Sequence, residues 1–403
     1  MSHDQSGYRS RTRAVRSGLG GDNCHGAVVP PLYLTSTFAF KGYDDKGAYD
    51  YTRSGNPSRD ALAEALAALE GGVGATVVSS GMAAITLVCH LLEAGQLLIA
   101  PHDCYGGTHR LLTALARREH FRVLFVDQTD PVSLQRAFTA GPDMVLVETP
   151  SNPLLRITDL ADLSRRCRAA GAIMVADNTF LSPGWQQPIA HGADIVVHST
   201  TKYLNGHSDV VGGAAIASTA QLQEELAWWA NCLGLTGAPF DSFMTLRGVR
   251  TLHARLRAHE ENAVAVADAL VSHSAVEAVY YPGLADHPGH QVAARQQDGF
   301  GAMLSFELAG GVPAVTAFLD GLEQFFLAES LGGVESLVAH PATMTHAAME
   351  PDARREAGIG DSLLRLSVGI EHRDDLVADV VAGLDRAARA VVAGRLWQAG
   401  AGC

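Results

Sequence analysis

Six short apolar runs, each the size of a strand, recur through the first half of the chain: 75–78, 97–100, 123–126, 144–147, 173–176 and 195–197. They are rich in Val, Ile, Leu and Ala, with no polar residue alternating along most of them, the pattern of strands buried on both faces. Helix-patterned stretches lie between them. One carries Leu62, Leu66 and Leu69, is capped by Ser58 and stops at Gly71 and Gly72; another follows Gly81 and runs over 83–93. Alternation of this kind predicts an α/β fold, a mostly parallel sheet with helices on both faces. Open sheets of that class bind ligands beyond the carboxyl ends of their strands. The residues just after each run are therefore where chemistry is to be sought.

The run 195–197 leads into His-Ser-Thr-Thr-Lys-Tyr-Leu-Asn-Gly-His-Ser-Asp, residues 198–209. A single lysine after a strand is as a rule a solvated surface charge. Here Ser199, Thr200 and Thr201 offer hydroxyls beside Lys202, which suits a phosphate held by neutral donors next to a carbonyl-reactive amine. The run 173–176 ends in Asp177. That carboxylate reads as a helix cap, as a solvated loop residue, or as the anion that keeps a pyridine nitrogen protonated. Lysine, acid and phosphate loop together are the requirements of pyridoxal phosphate.

Other strand ends leave two readings open. The Ser-Ser-Gly-Met turn at 79–82 is an ordinary strand-to-helix turn, or one whose Gly81 and Met82 N–H groups meet an anion. Tyr105 is a loop aromatic or a flat partner for a conjugated ring. Asn152, between Pro150 and Pro153, is a turn residue or a ligand contact, while Tyr51, Arg53 and Arg110 read as solvated surface. Arg365 lies in an apolar strand among Leu363, Leu364 and Leu366. A purely structural arginine there needs a carboxylate partner; otherwise its fork suits the α-carboxylate of an amino acid.

At 403 residues the chain is long enough for a large core and two domains. A formal net charge of −13 disfavours nucleic acid and acidic lipid as partners. No apolar stretch has the length of a membrane span, and residues 1–17 lack the apolar core of a signal peptide, so a cytoplasmic protein is expected. The six cysteines form no Cys-x-x-Cys pair and read as reduced thiols packed as small apolar groups; no metal site is expected. The first fifty residues lack helical periodicity and read as a disordered leader or an arm packing on another subunit, and 395–403 reads as an unstructured end.

Ala-Asp-Asn-Thr-Phe-Leu-Ser-Pro at 176–183, followed by the loop 198–209, closely resembles the Cys/Met-metabolism family of pyridoxal phosphate enzymes, and the resemblance extends over nearly the whole chain. It implies fold type I, the aspartate aminotransferase-like architecture, with a large, mostly parallel seven-stranded sheet domain and a smaller C-terminal α+β domain. The corresponding divisions are an arm over 1–55, the cofactor domain over 56–260 and the C-terminal domain over 261–403. The resemblance also assigns roles. Lys202 joins the cofactor and moves the substrate's proton, Asp177 holds the ring nitrogen, Tyr105 stacks on the ring and takes part in catalysis, and Asn152 bonds the phenolic oxygen. Gly81, Met82, Ser199 and Thr201 meet the phosphate, and Tyr51 and Arg53 reach it from a neighbouring subunit of a homotetramer built from two active dimers. Arg365, Ser330, Glu329, Asn231, Tyr51 and Arg110 fall to an amino acid substrate, Arg110 to the distal carboxylate of a succinylated one.

Within the family, Gly107 stands where methionine γ-lyases usually have cysteine, Glu329 resembles the carboxylate of the synthase and γ-lyase branch, and the stretches 123–128, 150–156, 225–231 and 342–349 most resemble the branch that performs γ-replacement on O-succinylhomoserine with cysteine. γ-Elimination from cystathionine is the next expectation and sulfhydrylation of an acylated homoserine the third. A binding or regulatory protein that keeps the fold without chemistry is a fourth, disfavoured because Lys202, Asp177 and Arg365 are all present.

Overall fold

The computed structural model describes residues 7–22, 24–347 and 349–400. The six apolar runs become strands β1 (Gly74–Val78), β2 (Leu97–Pro101), β3 (Arg122–Val126), β4 (Met144–Glu148), β5 (Ile173–Asp177) and β6 (Ile195–Ser199), joined by β7 (Gly213–Ala217). They form one sheet in the order β1-β7-β6-β5-β4-β2-β3. β2 to β6 are parallel where they pair, and β7 runs antiparallel to both its neighbours.

The period-2 alternation sorts the strand side chains into two apolar layers. Ile99, Val145, Val147, Met174 and Val196 pack on one face with Leu62, Leu66 and Leu69 of the helix Pro57–Glu70. Leu98, Leu146, Val175, Ile195 and Val197 pack on the other with Ala84, Ile85 and Val88 of the helix Gly81–Cys89. Both faces are covered, which is why the runs are continuously apolar.

A second sheet contains β8 (Val276–Tyr280), β9 (Met303–Leu308), β10 (Phe326–Leu327), β11 (Leu337–Ala339) and β12 (Leu363–Ser367), in the order β10-β11-β12-β9-β8. All its pairings are antiparallel except β10 with β11. The helix Leu252–Val271 runs across position 261, so a division there falls inside a continuous helix. Phe306, Leu364 and Leu366 of this sheet belong to the same apolar cluster as the first face of the larger sheet.

Two local expectations are corrected. The first fifty residues contain a helix, Ser10–Arg16, which docks on its own chain: Ala14 is buried, Arg13 Nη1 donates to the carbonyl of Ala68 at 2.5 Å, and Ser10 Oγ lies 3.0 Å from His253 Nε2. One buried side chain in seven residues gives too little amphipathic pattern to read. At the other end, a helix continues from Arg373 to Gly400, where an unstructured end was expected; 401–403 lie outside the described residues. β7 starts only at Gly213, because residues before it turn back to the lysine loop: Thr200 N–H donates to Gly212 O at 3.0 Å, and Gly212 N–H to Thr201 Oγ1 at 3.0 Å.

Cys89, Cys104 and Cys167 are buried free thiols, whereas Cys24 and Cys232 are exposed rather than packed. Among the described residues no helix is long and apolar enough to cross a membrane. No cluster of His, Cys, Asp and Glu able to hold a metal occurs among them either.

Candidate active site

A cavity of about 390 Å³ opens at the carboxyl ends of β4, β5 and β6, and is closed by Arg365 of β12 and by Glu329, Ser330, Leu331 and Thr345 of the loops before and after β11. Lys202 stands in the turn after β6, anchored by the buried side chains of Tyr203 and Leu204 that follow it. Its Nζ donates to Ser330 Oγ at 2.6 Å. Burial, seconded by the charge of Arg365 and opposed by Glu329, lowers the amine to about 8, toward the neutral form a nucleophile needs.

Asp177 ends β5, the strand beside β6, and its Oδ1 accepts from Thr179 N–H at 3.0 Å. Removal from water raises its pKa, while the bonds from Thr179 and the field of His198 pull it back. A cation placed against this carboxylate would restore the charge that burial penalises.

The anion end is built from the start of the helix Gly81–Cys89, where Ser80 Oγ accepts from Ala83 N–H at 3.1 Å. The first N–H groups of a helix have no intrahelical acceptor, so those of Gly81 and Met82 face the cavity end of the dipole. Glycine is required at 81 by close approach: an added Cβ would lie 2.7 Å from Ser199 Cβ. Ser199 and Thr201 line the cavity as well.

Tyr105 precedes the helix Gly106–Arg117, and its ring faces the cavity over Gly107, where an added Cβ would come within 2.6 Å of Tyr105 Cε1. Asn152 is buried at the end of the turn after β4, and its Oδ1 accepts from Arg365 Nη1 at 2.8 Å. Arg365 is 3% exposed in β12; Nη2 donates to Ser330 O at 2.9 Å, and Nε is buried with no hydrogen-bond partner among the described residues. The acceptors of this arginine are a carboxamide and a carbonyl, so a negative group is still wanted at Nε.

Four of the expected site residues do not line this cavity within one chain. Arg53 donates through Nη1 to Asn231 O at 2.8 Å in a separate groove, with its guanidinium 5.9 Å from the exposed Tyr51 ring. Arg110 is exposed on the helix Gly106–Arg117. Conversely, Glu148 lines the cavity and the sequence reading passed it by. The signal was available, since Glu148 ends β4 as Asp177 ends β5 and the two are register partners.

These residues fit pyridoxal phosphate on physical grounds. An amine whose pKa is lowered to about 8, a buried acid whose pKa is raised, a helix start with glycine at the closest approach and a flat aromatic converge on one cavity, and Arg365 Nε, without a hydrogen-bond partner among the described residues, can donate to a carboxylate.

A family model described as Cys/Met metabolism PLP-dependent enzyme matches residues 11–385. The chain is 55% identical over 376 residues to a cystathionine gamma-synthase of Escherichia coli (strain K12), covering 93% of this chain and 97% of that one. It is 43% identical to a cystathionine gamma-lyase of Dictyostelium discoideum, over 94% of this chain and 98% of that one. Among solved structures, cystathionine gamma synthase from Xanthomonas oryzae pv. oryzae in complex with cystathionine superposes with a TM-score of 0.94 at 60% identity, covering 95% of this chain and 99% of that one. The seven-stranded sheet, the lysine loop and a match over nearly the whole length place the chain in the Cys/Met-metabolism family of pyridoxal phosphate-dependent enzymes.

Proposed function

We propose that this enzyme catalyses γ-replacement, converting O-succinyl-L-homoserine and L-cysteine to L-cystathionine and succinate. The observation that carries the reading is 60% identity over 95% of the chain with a solved cystathionine gamma synthase holding cystathionine.

When bound, pyridoxal phosphate supplies the electron sink that lets the α-hydrogen of an amino acid leave as a proton. Lys202 would hold it at its aldehyde carbon, Asp177 at the ring nitrogen, Tyr105 at the ring face and Asn152 at the phenolic oxygen. Gly81, Met82, Ser199 and Thr201 would hold the phosphate. Arg365 receives the α-carboxylate at its free Nε, with Ser330 keeping the guanidinium in place through its carbonyl and Glu329 lining the same wall. Lys202 Nζ would carry the proton away from the substrate Cα; its lowered pKa, about 8, suits a base near neutral pH. Overall the Cγ–O bond to succinate breaks, a Cγ–S bond to cysteine forms, and the thiol proton is released.

The working form in this reading is a cytoplasmic homotetramer of two active dimers. Support comes from Tyr51 and Arg53, which lie outside their own chain's cavity, and from exposed Leu34, Phe40 and Tyr43 on the same N-terminal stretch. The exposed thiols of Cys24 and Cys232 suit a reducing compartment. Across such an interface Tyr51, Arg53, Asn231 and Arg110 would complete the cofactor and substrate sites.

The deciding experiment follows products from O-succinylhomoserine with cysteine, and separately from cystathionine alone. Condensation to cystathionine as the main activity is expected. Fast 2-oxobutanoate release from cystathionine with no condensation would make the enzyme a γ-lyase, and homocysteine formation from sulfide in preference to cysteine would make it a sulfhydrylase.

A further inference from the structure

We propose that Glu148 is a positioning residue of this site: its two carboxyl oxygens clamp the segment that presents Tyr105 and the segment that presents Asn152, setting the spacing between them. The proposal rests on the reading above, in which Tyr105 and Asn152 contact the cofactor. It assigns a task to a group that the reaction as written does not use.

Glu148 Oε2 accepts from Tyr105 N–H at 3.1 Å and Oε1 from Asn152 N–H at 2.9 Å. The two donors sit in different loops, one after β2 and one after β4, so a single side chain ties the edges of two strands together. Each bond does local work. Tyr105 occupies the cap position of the helix Gly106–Arg117 and has no side-chain cap, so the carboxyl group serves the helix start from outside. The Asn152 segment is held on its other side by Arg365 at the carboxamide and by His346, whose Nε2 lies 3.1 Å from the Asn152 carbonyl. With Glu148 in place Asn152 is held at three points: its backbone N–H, its backbone carbonyl and its carboxamide oxygen.

A structural role alone accounts poorly for this carboxyl. Glu148 is 7% exposed, bonds no cation among the described residues, and stands beside Asp177 in register with Asp103 close by. Burial, and then the charge of Asp177, push its pKa well above the usual carboxylate range. An acid so placed costs stability that an apolar side chain would not. What it provides is two acceptors at one fixed separation, which no apolar residue supplies.

The substitutions that test this are Glu148→Gln and Glu148→Asp. Glutamine keeps the length but turns an amide N–H₂ toward one of the two backbone donors; aspartate keeps both acceptors but is too short to reach both loops. Each holoenzyme variant is expected to lose about 10- to 100-fold in kcat, with KM for the succinylated substrate changed by less than about threefold, as for a misplacement of groups around a bound substrate. The visible circular dichroism of the bound cofactor should shift, because the Tyr105 ring moves relative to it. In a Tyr105→Ala background the same Glu148→Gln change should cost several-fold less than in the wild type, since one of the two groups it positions is gone while Asn152 remains. Wild-type kcat and an unchanged visible dichroism in Glu148→Gln would overturn the proposal, as would an equal loss in both backgrounds. Should Glu148→Gln fail to fold, the same readings on Glu148→Asp decide. The dichroism does not depend on which substrate is turned over, so an error in the assigned reaction leaves this test standing. An error in the cofactor reading shows first as a wild-type protein without a visible band.

Discussion

The amine of Lys202 lies 2.6 Å from the hydroxyl of Ser330, a residue 128 positions further along the chain and held in the left-handed backbone region at φ 88°. A non-glycine residue there costs on the order of 1–3 kcal/mol, which the surrounding contacts must offset. The Ser330 carbonyl accepts from Arg365 Nη2, so one strained residue from the loop between β10 and β11 touches both the amine and the guanidinium of the site. The two sheets are coupled through the chemistry they enclose.

Lys202→Ala should remove the visible absorption of the joined cofactor and lower turnover by at least about 10²–10⁴-fold, the range for losing a positioned proton-transfer group. Far-ultraviolet circular dichroism should be unchanged. Activity near wild type would refute the assignment of this lysine.

The lysine also sets a pH dependence. Burial lowers Lys202 from 10.5 to about 8, so in cofactor-free protein the neutral amine becomes the main form as pH rises through about 8. Capture of added pyridoxal phosphate, followed by stopped-flow absorbance, should speed up through that window and level off above it. The unfolded chain keeps this proton up to about 10.5, so between the two values the native state binds fewer protons and the cost that the buried charged amine puts on folding falls away as pH rises. Capture with a midpoint near 10.5 would show that the amine is not desolvated.

Arg365→Lys should lower kcat/KM about a hundredfold, on the order of 3 kcal/mol, chiefly through KM for the amino acid substrate. A lysine cannot bond Asn152 Oδ1 and Ser330 O and still present an N–H to a carboxylate in the same plane. Steady-state kinetics that leave KM unchanged would place the substrate carboxylate elsewhere.

Gly81→Ala puts a methyl group 2.7 Å from Ser199 Cβ, so the helix start or the end of β6 must shift. Overpacking of this kind costs about 1–3 kcal/mol. Cofactor affinity, measured by fluorescence titration of the cofactor-free protein, should weaken about tenfold or more, whereas Gly95→Ala, remote from the cavity, should leave it unchanged.

Arg53→Ala and Lys202→Ala are each expected to be inactive alone. If Arg53 completes a neighbour's site, co-refolding the two variants should restore activity at about a quarter of the sites by random pairing in a two-fold dimer. No recovery in mixed oligomers would confine Arg53 to its own chain.

The candidate site was legible where a strand end coincides with unusual chemistry. Lys202 and Asp177 stand out because each follows a run of apolar residues whose only plausible place is inside a sheet, and Gly81 because it opens a helix. Glu148 ends its run in the same manner but was passed over, because nothing local shows that the amides of Tyr105 and Asn152 converge on it. The helix Ser10–Arg16 stayed hidden for a related reason: it is held by His253 and Ala68, both far along the chain.

The sequence by itself determined the alternation of apolar runs and helices, hence the parallel sheet, and the identity of the lysine, the acid and the arginine. Local pattern suffices for this, since a strand buried on both faces leaves the same signature wherever it lies in the sheet. Only the tertiary structure decided that Arg365 meets Asn152 rather than a carboxylate, that Ser330 sits against Lys202, and that Tyr51, Arg53, Asn231 and Arg110 stay outside their own chain's cavity. Those pairings join residues far apart in the chain, and the register of two separate sheets, not the order of residues along one strand, sets which side chains meet.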